Sequence, residues 1–507
     1  MRTTSRGLVL TLALTPLLAG CFVSGAAGSG SDTGDGSAGR LRVALARPPV
    51  QALSTYSDDA TLLGKLSVVE GLTALDKNGA AAPALAKSWK QNSPTTWTFE
   101  LRKATFQDGT PVTADAVVSA LDHADAATPK PRVLSDVTLT AKVEDANTVT
   151  VTTKAADPVL PLRLASPVLA ILSEKAYAKD GTASAIGTGT GPFKVTKLIG
   201  KSKATLDRYD GYWGGKAKAS GIDVTWIADG TARANALRGG DVDIAEWIPT
   251  AQAKLLDANT RHEMPSVRTD SLILNTGNGI FTDPALRAAA REAVDGSAFV
   301  DSIFGGYADP AQGLFGPAVS WAADKRVEVT GRAKAATPAQ VRSKTKGKVL
   351  RLAAFTNRAE LPETATVLQQ QLEKAGFTVK QDVREYTQME ADLLAGKYDA
   401  LVMSRVVLLD TGDAVAYLAS DYTSDGVYNI ARLKDSKVDQ AIKSAAEEGD
   451  TTKRRQMIMA AEAQILRADA VVPLVHERVV QGIAADVEGV LLDPRERSLI
   501  DVDTHLK

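Results

Sequence analysis

The segment from Met403 to Tyr417 carries one guanidinium (Arg405), two carboxylates (Asp410 and Asp413) and a phenol (Tyr417) on and just beyond an apolar strand end. A guanidinium offers a carboxylate a planar fork of donors, and an aspartate in a closing cleft accepts hydrogen bonds from an ammonium. Together with Ser404 at its start, this loop has the makings of a clamp for a zwitterion. The competing reading is internal: Arg405 pairs with Asp410 or Asp413 and only orders the loop. Trp247, Tyr386 and Tyr417 at strand exits would supply ligand walls, and Tyr56 in the first exit loop is similar.

Other chemistries are poorly provided for. His123, His262, His476 and His505 have no second histidine or carboxylate at zinc-ligand spacing beyond chance, so a dedicated protein-built metal site is not expected, and no cofactor is implied. His262-Glu263 and His476-Glu477 both lack the later histidine of HExxH, and no Gly-x-Ser-x-Gly elbow occurs. The glycine cluster Gly187 to Phe193 is not followed by Gly-Lys-Ser/Thr at phosphate-loop spacing and reads as a structural turn. Asp241 and Asp243 alternate along a strand and are expected to flank a turn and face solvent, with no catalytic role. A single cysteine excludes internal disulfides. With 59 basic against 60 acidic residues there is no bulk basicity to hold a nucleic acid.

The elements that must position the loop are legible from periodicity. Val349 to Ala354 reads as a strand, Pro362 to Ala375 as a helix closed by Gly376, Phe377 to Val383 as a strand, Gln388 to Ala395 as a helix closed by Gly396, and Ala400 to Met403 as a strand. This βαβαβ order implies a mostly parallel sheet, and ligands collect outside the carboxyl ends of such strands, which makes Ser404 to Asp413 a candidate by topology. In the N-terminal half, Leu41 to Ala46 is an alternating strand, followed by a Pro-rich loop from Arg47 to Ser57 and a helix running to Glu70. Thr96 to Leu101 is a strand, Asp108-Gly109 a turn, and Thr113 caps a helix with Ala114, Val117, Val118 and Leu121 on one face. Ile222 to Ile227 and Val242 to Ala245 read as strands around a helix from Ala232 to Leu237, with Glu246 to Pro249 as the exit loop.

At the N-terminus, Arg2 and Arg6 precede an apolar run from Gly7 to Leu18, too short to span a bilayer and of the size of a secretory signal core. The run ends Leu18-Ala19-Gly20-Cys21, which resembles the lipobox of bacterial lipoproteins, whose cysteine carries a diacylglycerol after cleavage. Residues 1–20 are thus expected to be a signal peptide, with Cys21 the lipid-anchored mature N-terminus. Residues 21–40, rich in Gly, Ser and Asp, are expected to be a flexible tether to the extracytoplasmic face of the membrane.

Several further stretches carry a resemblance. They include Val69-Glu70-Gly71-Leu72-Thr73-Ala74-Leu75-Asp76, Pro83 to Trp89, Trp97 to Arg102, Phe106-Gln107-Asp108-Gly109-Thr110-Pro111, Gly189 to Phe193, Tyr209 to Lys216, Leu237 to Asp243, Arg287 to Asp295 and Phe304 to Tyr307. With them the chain, from about Leu41 to its C-terminus, resembles the solute-binding proteins of ABC importers, family 5, the peptide and nickel-chelate binding group. The resemblance implies an α/β, two-lobe periplasmic-binding-protein-like fold (class II type, cluster C) with an extra inserted subdomain and two crossover strands as hinge. Lobe I would span 41–270 with the insertion at about 71–185, lobe II 271–474, and 475–507 would return to lobe I. The crossings would fall near Ser271 to Asn275 and Val471 to Val475. It implies a monomer that encloses a small-molecule ligand, meets ABC permease subunits in the membrane, and catalyses nothing.

The same resemblance places the acceptor of a peptide ammonium at Asp410 and a second family acid at Asp413. Val407 stands where peptide binders of the family carry a tryptophan, Ala414 replaces their proline, and the loop lacks the histidine of nickel-chelate members. The expected role is capture of a short peptide or similar zwitterion for import. A metal chelate that brings its own donors, a peptide-sensing receptor without transport, and a hydrolase on the same fold are the alternatives.

Overall fold

In the computed structural model, residues 39–178, 181–356, 358–408 and 411–507 are described, so Cys21 with its leader and Asp410 lie outside the described residues. The alternating run at the start forms strand Arg40–Leu45, which pairs in parallel with Gly221–Trp226 on one side and Ile244–Ala245 on the other. In the C-terminal half, Leu350–Phe355 pairs in parallel with Val379–Arg384 and with Ala400–Val406. Each parallel set arises where a helix returns the chain to the same sheet edge: Gly230–Arg238 in the first set, Glu360–Lys374 and Glu390–Leu394 in the second.

Between the two sets run the strands Arg261–Leu274 and Val471–Ile483, antiparallel to each other over nearly their whole length. They join everything into one sheet, with Ala400–Val406 beside the first and Ile244–Ala245 beside the second. Their register breaks once between Pro265 and Thr269, where Glu477 alone opposes three residues, and again between Asp270 and Ser271. Separate cores form on the two sides of these strands. One packs Leu272, Phe281, Phe299, Leu352, Leu368 and Ile465. The other packs Leu41, Leu63, Phe193, Leu206 and Ile222, and is completed by Leu499 and Ile500 from the end of the chain. The architecture is therefore two lobes joined by two interior strands.

A third core, Leu72 to Ile171, belongs to a four-stranded antiparallel sheet, in spatial order Ala86–Ser93, Thr96–Leu101, Thr148–Thr153 and Leu139–Asp145, with helix Ala114–Ala126 packed by its apolar face. Thr113 caps that helix, accepting from the Ala116 amide at 3.2 Å, as the sequence predicts.

Two expectations are corrected. The first helix covers only Asp59–Lys65 and does not reach Glu70, because the backbone turns left-handed at Ser67 (φ +50°). Glu70 leaves the helix to accept from Tyr212 Oη at 3.0 Å and from Trp213 Nε1 at 3.0 Å. Asp243 does not face solvent: it is 2% exposed and takes the Arg42 amide at 2.7 Å and the Arg42 guanidinium. The glycine cluster is a turn packed against the chain that follows the first helix. A Cβ at Gly191 would lie 2.1 Å from the Ser67 carbonyl oxygen, and Gln107 ties the contact by donating to the carbonyls of Val68 and Gly191.

Candidate functional site

The two parallel sets end facing a common cavity of about 490 Å³. The first set contributes Trp247, two residues beyond Ile244–Ala245, and the second contributes Arg358 and Glu360, just beyond Leu350–Phe355. The interior strands contribute Arg268 and Glu477 at the break in their register. Cavity and residues lie where a parallel sheet places ligand sites.

On the lobe I side Trp247 is fixed by its backbone. Its φ of +49° is left-handed, a conformation that persists only where surroundings enforce it. Here its amide donates to Gln481 Oε1 at 3.0 Å and its carbonyl accepts from Arg233 at 2.8 Å. Arg233 is buried and also donates to the carbonyls of Glu246, Ile227 and Ala228, so one guanidinium ties the exit loops of two strands. The guanidinium of Arg47 and the ammonium of Lys65 each lie 4.8 Å from the indole centroid. Lys65 is itself ion-paired with Glu246.

On the lobe II side Arg358 donates to Glu360 at 2.5 Å and to Glu477 at 2.6 Å, while the Ser404 hydroxyl donates to the other oxygen of Glu477. Beside them Asp270 is fully buried, and neither of its oxygens has a hydrogen-bond donor among the described residues. Burial, then the charge of Glu477, pushes the Asp270 carboxyl well above the carboxylate range, so Asp270 holds a proton and can donate it to Glu477. Burial opposes the Arg358 cation, but the carboxylates of Glu477 and Glu360 outweigh it and keep it charged. Arg268 pairs with Glu496 at 3.1 Å, and although burial opposes that carboxylate, Arg268 and Lys65 hold it down at about 2.

The residues picked out from sequence divide among several places. Trp247 lines the cavity, and Ser404, which lies within strand Ala400–Val406 and not in the loop after it because the strand stays paired with Arg268 to Leu274, reaches the cavity through Glu477. Arg405 does not pair with Asp413: two nitrogens of its fork go to Asp421 at 2.7 Å, and its guanidinium lies 4.7 Å from the centroid of Tyr428. Tyr386 joins the same cluster through the Tyr428 hydroxyl and donates to Glu390 at 2.8 Å. Tyr417 is 2% exposed, its hydroxyl 2.9 Å from that of Tyr422, and in this conformation it belongs to the lobe II core. Asp413 caps helix Ala414–Tyr422 through the Val415 amide and receives Arg454 at 2.9 and 3.0 Å. Tyr56 is half-buried at the seam between the lobe I core and the inserted sheet, and burial pushes its phenol upward. Asp410 lies outside the described residues.

Sequence reasoning missed Arg358, Glu360, Glu477, Arg268 and Asp270. Arg358 had a usable signal, since it follows strand Leu350–Phe355 before a βα crossing, at the carboxyl edge where ligands collect. Among the described residues no group of three or more His, Cys, Asp or Glu is placed to hold a metal ion, and no helix is long and apolar enough to cross a membrane.

Two lobes of mixed α/β structure, two interior strands and a charged cleft at the facing carboxyl edges define a solute-binding protein. The family profile "Bacterial extracellular solute-binding proteins, family 5 Middle" matches residues 80–429, and the chain belongs to that family. The nickel-binding protein NikA of Staphylococcus aureus is 26% identical over 417 residues, 80% of this chain and 82% of that one. The glutathione-binding protein GsiB of Escherichia coli is 27% identical over 447 residues, 84% of this chain and 87% of that one. Among solved structures, NikA from Brucella suis in complex with Fe(III)-EDTA superimposes with a TM-score of 0.80 at 21% identity, over 92% of this chain and all of that one. The chain is thus an extracytoplasmic solute-binding protein of the kind that serves ABC importers.

Proposed function

We propose that the protein captures a zwitterionic solute, a short peptide or peptide-like compound, between its lobes without transforming it, and passes it to a membrane permease. The observation that carries this reading is the cavity of about 490 Å³ with an aromatic wall, Trp247, facing a mixed set of charges, Arg358, Glu360 and Glu477. Arg358 and Arg268 suit a solute carboxylate, and Glu360 with Glu363 at the rim suits an ammonium. Asp410 is proposed as a further ammonium acceptor in the segment after strand Ala400–Val406, with Tyr386 as a wall. Arg405, Asp413 and Tyr417 act as supports of that segment. In this reading lobe I covers 41–270 with the insertion at about 71–185, lobe II 271–474, and 475–507 returns to lobe I.

Calorimetry with glutathione, an unmodified tripeptide and a nickel-histidine chelate tests the ligand class. The peptide-like solutes are expected to bind, and Arg358→Gln to weaken them by roughly 2 to 5 kcal/mol, as for a desolvated charge pair at an interface. Binding of the chelate alone would replace this reading with the metallophore one, favoured by the resemblance to NikA. Recovery of chemically altered solute would overturn the non-enzymatic role. The chain is further proposed to act as a monomer anchored through Cys21. Cys21→Ser should leave the protein unprocessed or release it into the medium, and membrane fractionation at the wild-type mass would count against the anchor.

A further inference from the structure

A second cavity, of about 350 Å³, lies where the inserted sheet and its hairpin meet lobe II, and it touches the proposed solute site only through Leu408 and Gly412 to Ala414, on the loop that carries Asp410. Three of the chain's six tryptophans line it: Trp89 and Trp97 from the inserted sheet, and Trp321 from lobe II. The volume is that of a small-ligand site, for which apolar walls with few polar groups are the usual construction.

Its charge is one-sided. Among the described residues four basic side chains line it, Lys77, Arg454, Arg455 and Arg495, against one carboxylate, Asp413. Two of the four are already committed, Arg454 to Asp413 and Arg495 to Asp493 at 2.9 Å. Arg455 is not. It is half-buried 5.2 Å from the centroid of the Trp321 ring, and among the described residues its guanidinium makes no ion pair and no hydrogen bond. Asp76 and Asp413 act on it only at a distance, and a partly desolvated guanidinium with no carboxylate in contact, beside indole faces, is suited to an anion carried on a flat apolar body.

We propose that this cavity is a second small-molecule site, for an aromatic or similarly flat apolar carboxylate, with Arg455 taking the carboxylate and Trp321 stacking on the apolar part. It shares no lining residue with the cavity at Trp247 and Arg358, and Arg455 and Trp321 are not among the residues proposed for solute capture.

The test uses 3-phenylpropionate, its uncharged amide, and the purified protein, read by tryptophan fluorescence and calorimetry. Saturable binding of the acid is expected, weakened at least about tenfold in the amide and in Arg455→Gln, and unchanged in Trp247→Ala. Trp321→Leu should remove the fluorescence change and most of the affinity. Absence of saturable binding, or equal affinity in Arg455→Gln, would overturn the proposal. Loss of binding in Trp247→Ala would also overturn it, by placing the probe in the interlobe cleft.

Discussion

Arg233 and Arg358 reach the same cavity from opposite lobes and are held by different kinds of partner. All four bonds of Arg233 go to backbone carbonyls, those of Ile227, Ala228, Glu246 and Trp247. Arg358 rests on the side-chain carboxylates of Glu360 and Glu477. A solute carboxylate that drew Arg233 away would strip four acceptors at once, whereas Arg358 can exchange one carboxylate for another as Glu360 turns to a new rotamer. The lobe I edge is thereby a fixed aromatic wall, and the lobe II edge is an adjustable set of charges.

The contrast is open to breaking by mutation. The largest effect is expected at Arg405→Gln, which leaves Asp421, 5% exposed, as a buried carboxylate without its partner and should cost about 3–5 kcal/mol in urea denaturation. A loss below about 1 kcal/mol, the range of solvated pairs, would instead free Arg405 for solute. Arg233→Gln should cost about 2–3 kcal/mol through its orphaned carbonyls and blunt the binding of any solute that touches Trp247. Equal affinity in that variant would show that the wall stands without its strut.

Asp270→Asn sharpens the comparison through pH. The folded-state pKa of Asp270 is raised by burial and by Glu477, so the folded protein holds a proton that the unfolded chain releases above about pH 4. Stability from this group is full below that point and declines as pH rises through the folded pKa, by at most about 1.4 kcal/mol per pH unit. The variant should flatten that decline in denaturation series at several pH values, and an unchanged slope would mean that Asp270 is ionised. The smallest effect is expected at Tyr386→Phe, which removes hydroxyl contacts to Tyr428 and Glu390 worth about 0.5–1.5 kcal/mol.

The pieces legible in sequence were those with local causes. The helix capped by Thr113 and the βαβαβ order after Val349 follow from spacing along the chain, and the carboxyl-edge rule led to Ser404. What escaped depends on partners distant in sequence. The acid that takes Arg405 lies 16 residues on, in the next helix, past two nearer aspartates. Glu477 stands in the sequence only as half of an incomplete His-Glu pair until Arg358, 119 residues earlier, is folded against it. Asp243 is buried because Arg42, 201 residues away, meets it across a strand pair. The over-long first helix failed for the same reason, since Ser67 turns where the glycine cluster at Gly191 presses on it.

The break in register between the two interior strands has a mechanical meaning. Between the pair Pro265 and Arg478 and the pair Thr269 and His476, the ladder of these two strands has a gap. A twist concentrated there breaks no rung between them, while the paired stretches on either side stay intact as stiff levers. Arg268, Glu477 and, one residue beyond, Asp270 sit on or beside this gap, so a solute that pulls on their charges would load the sheet where these two strands are not tied to each other.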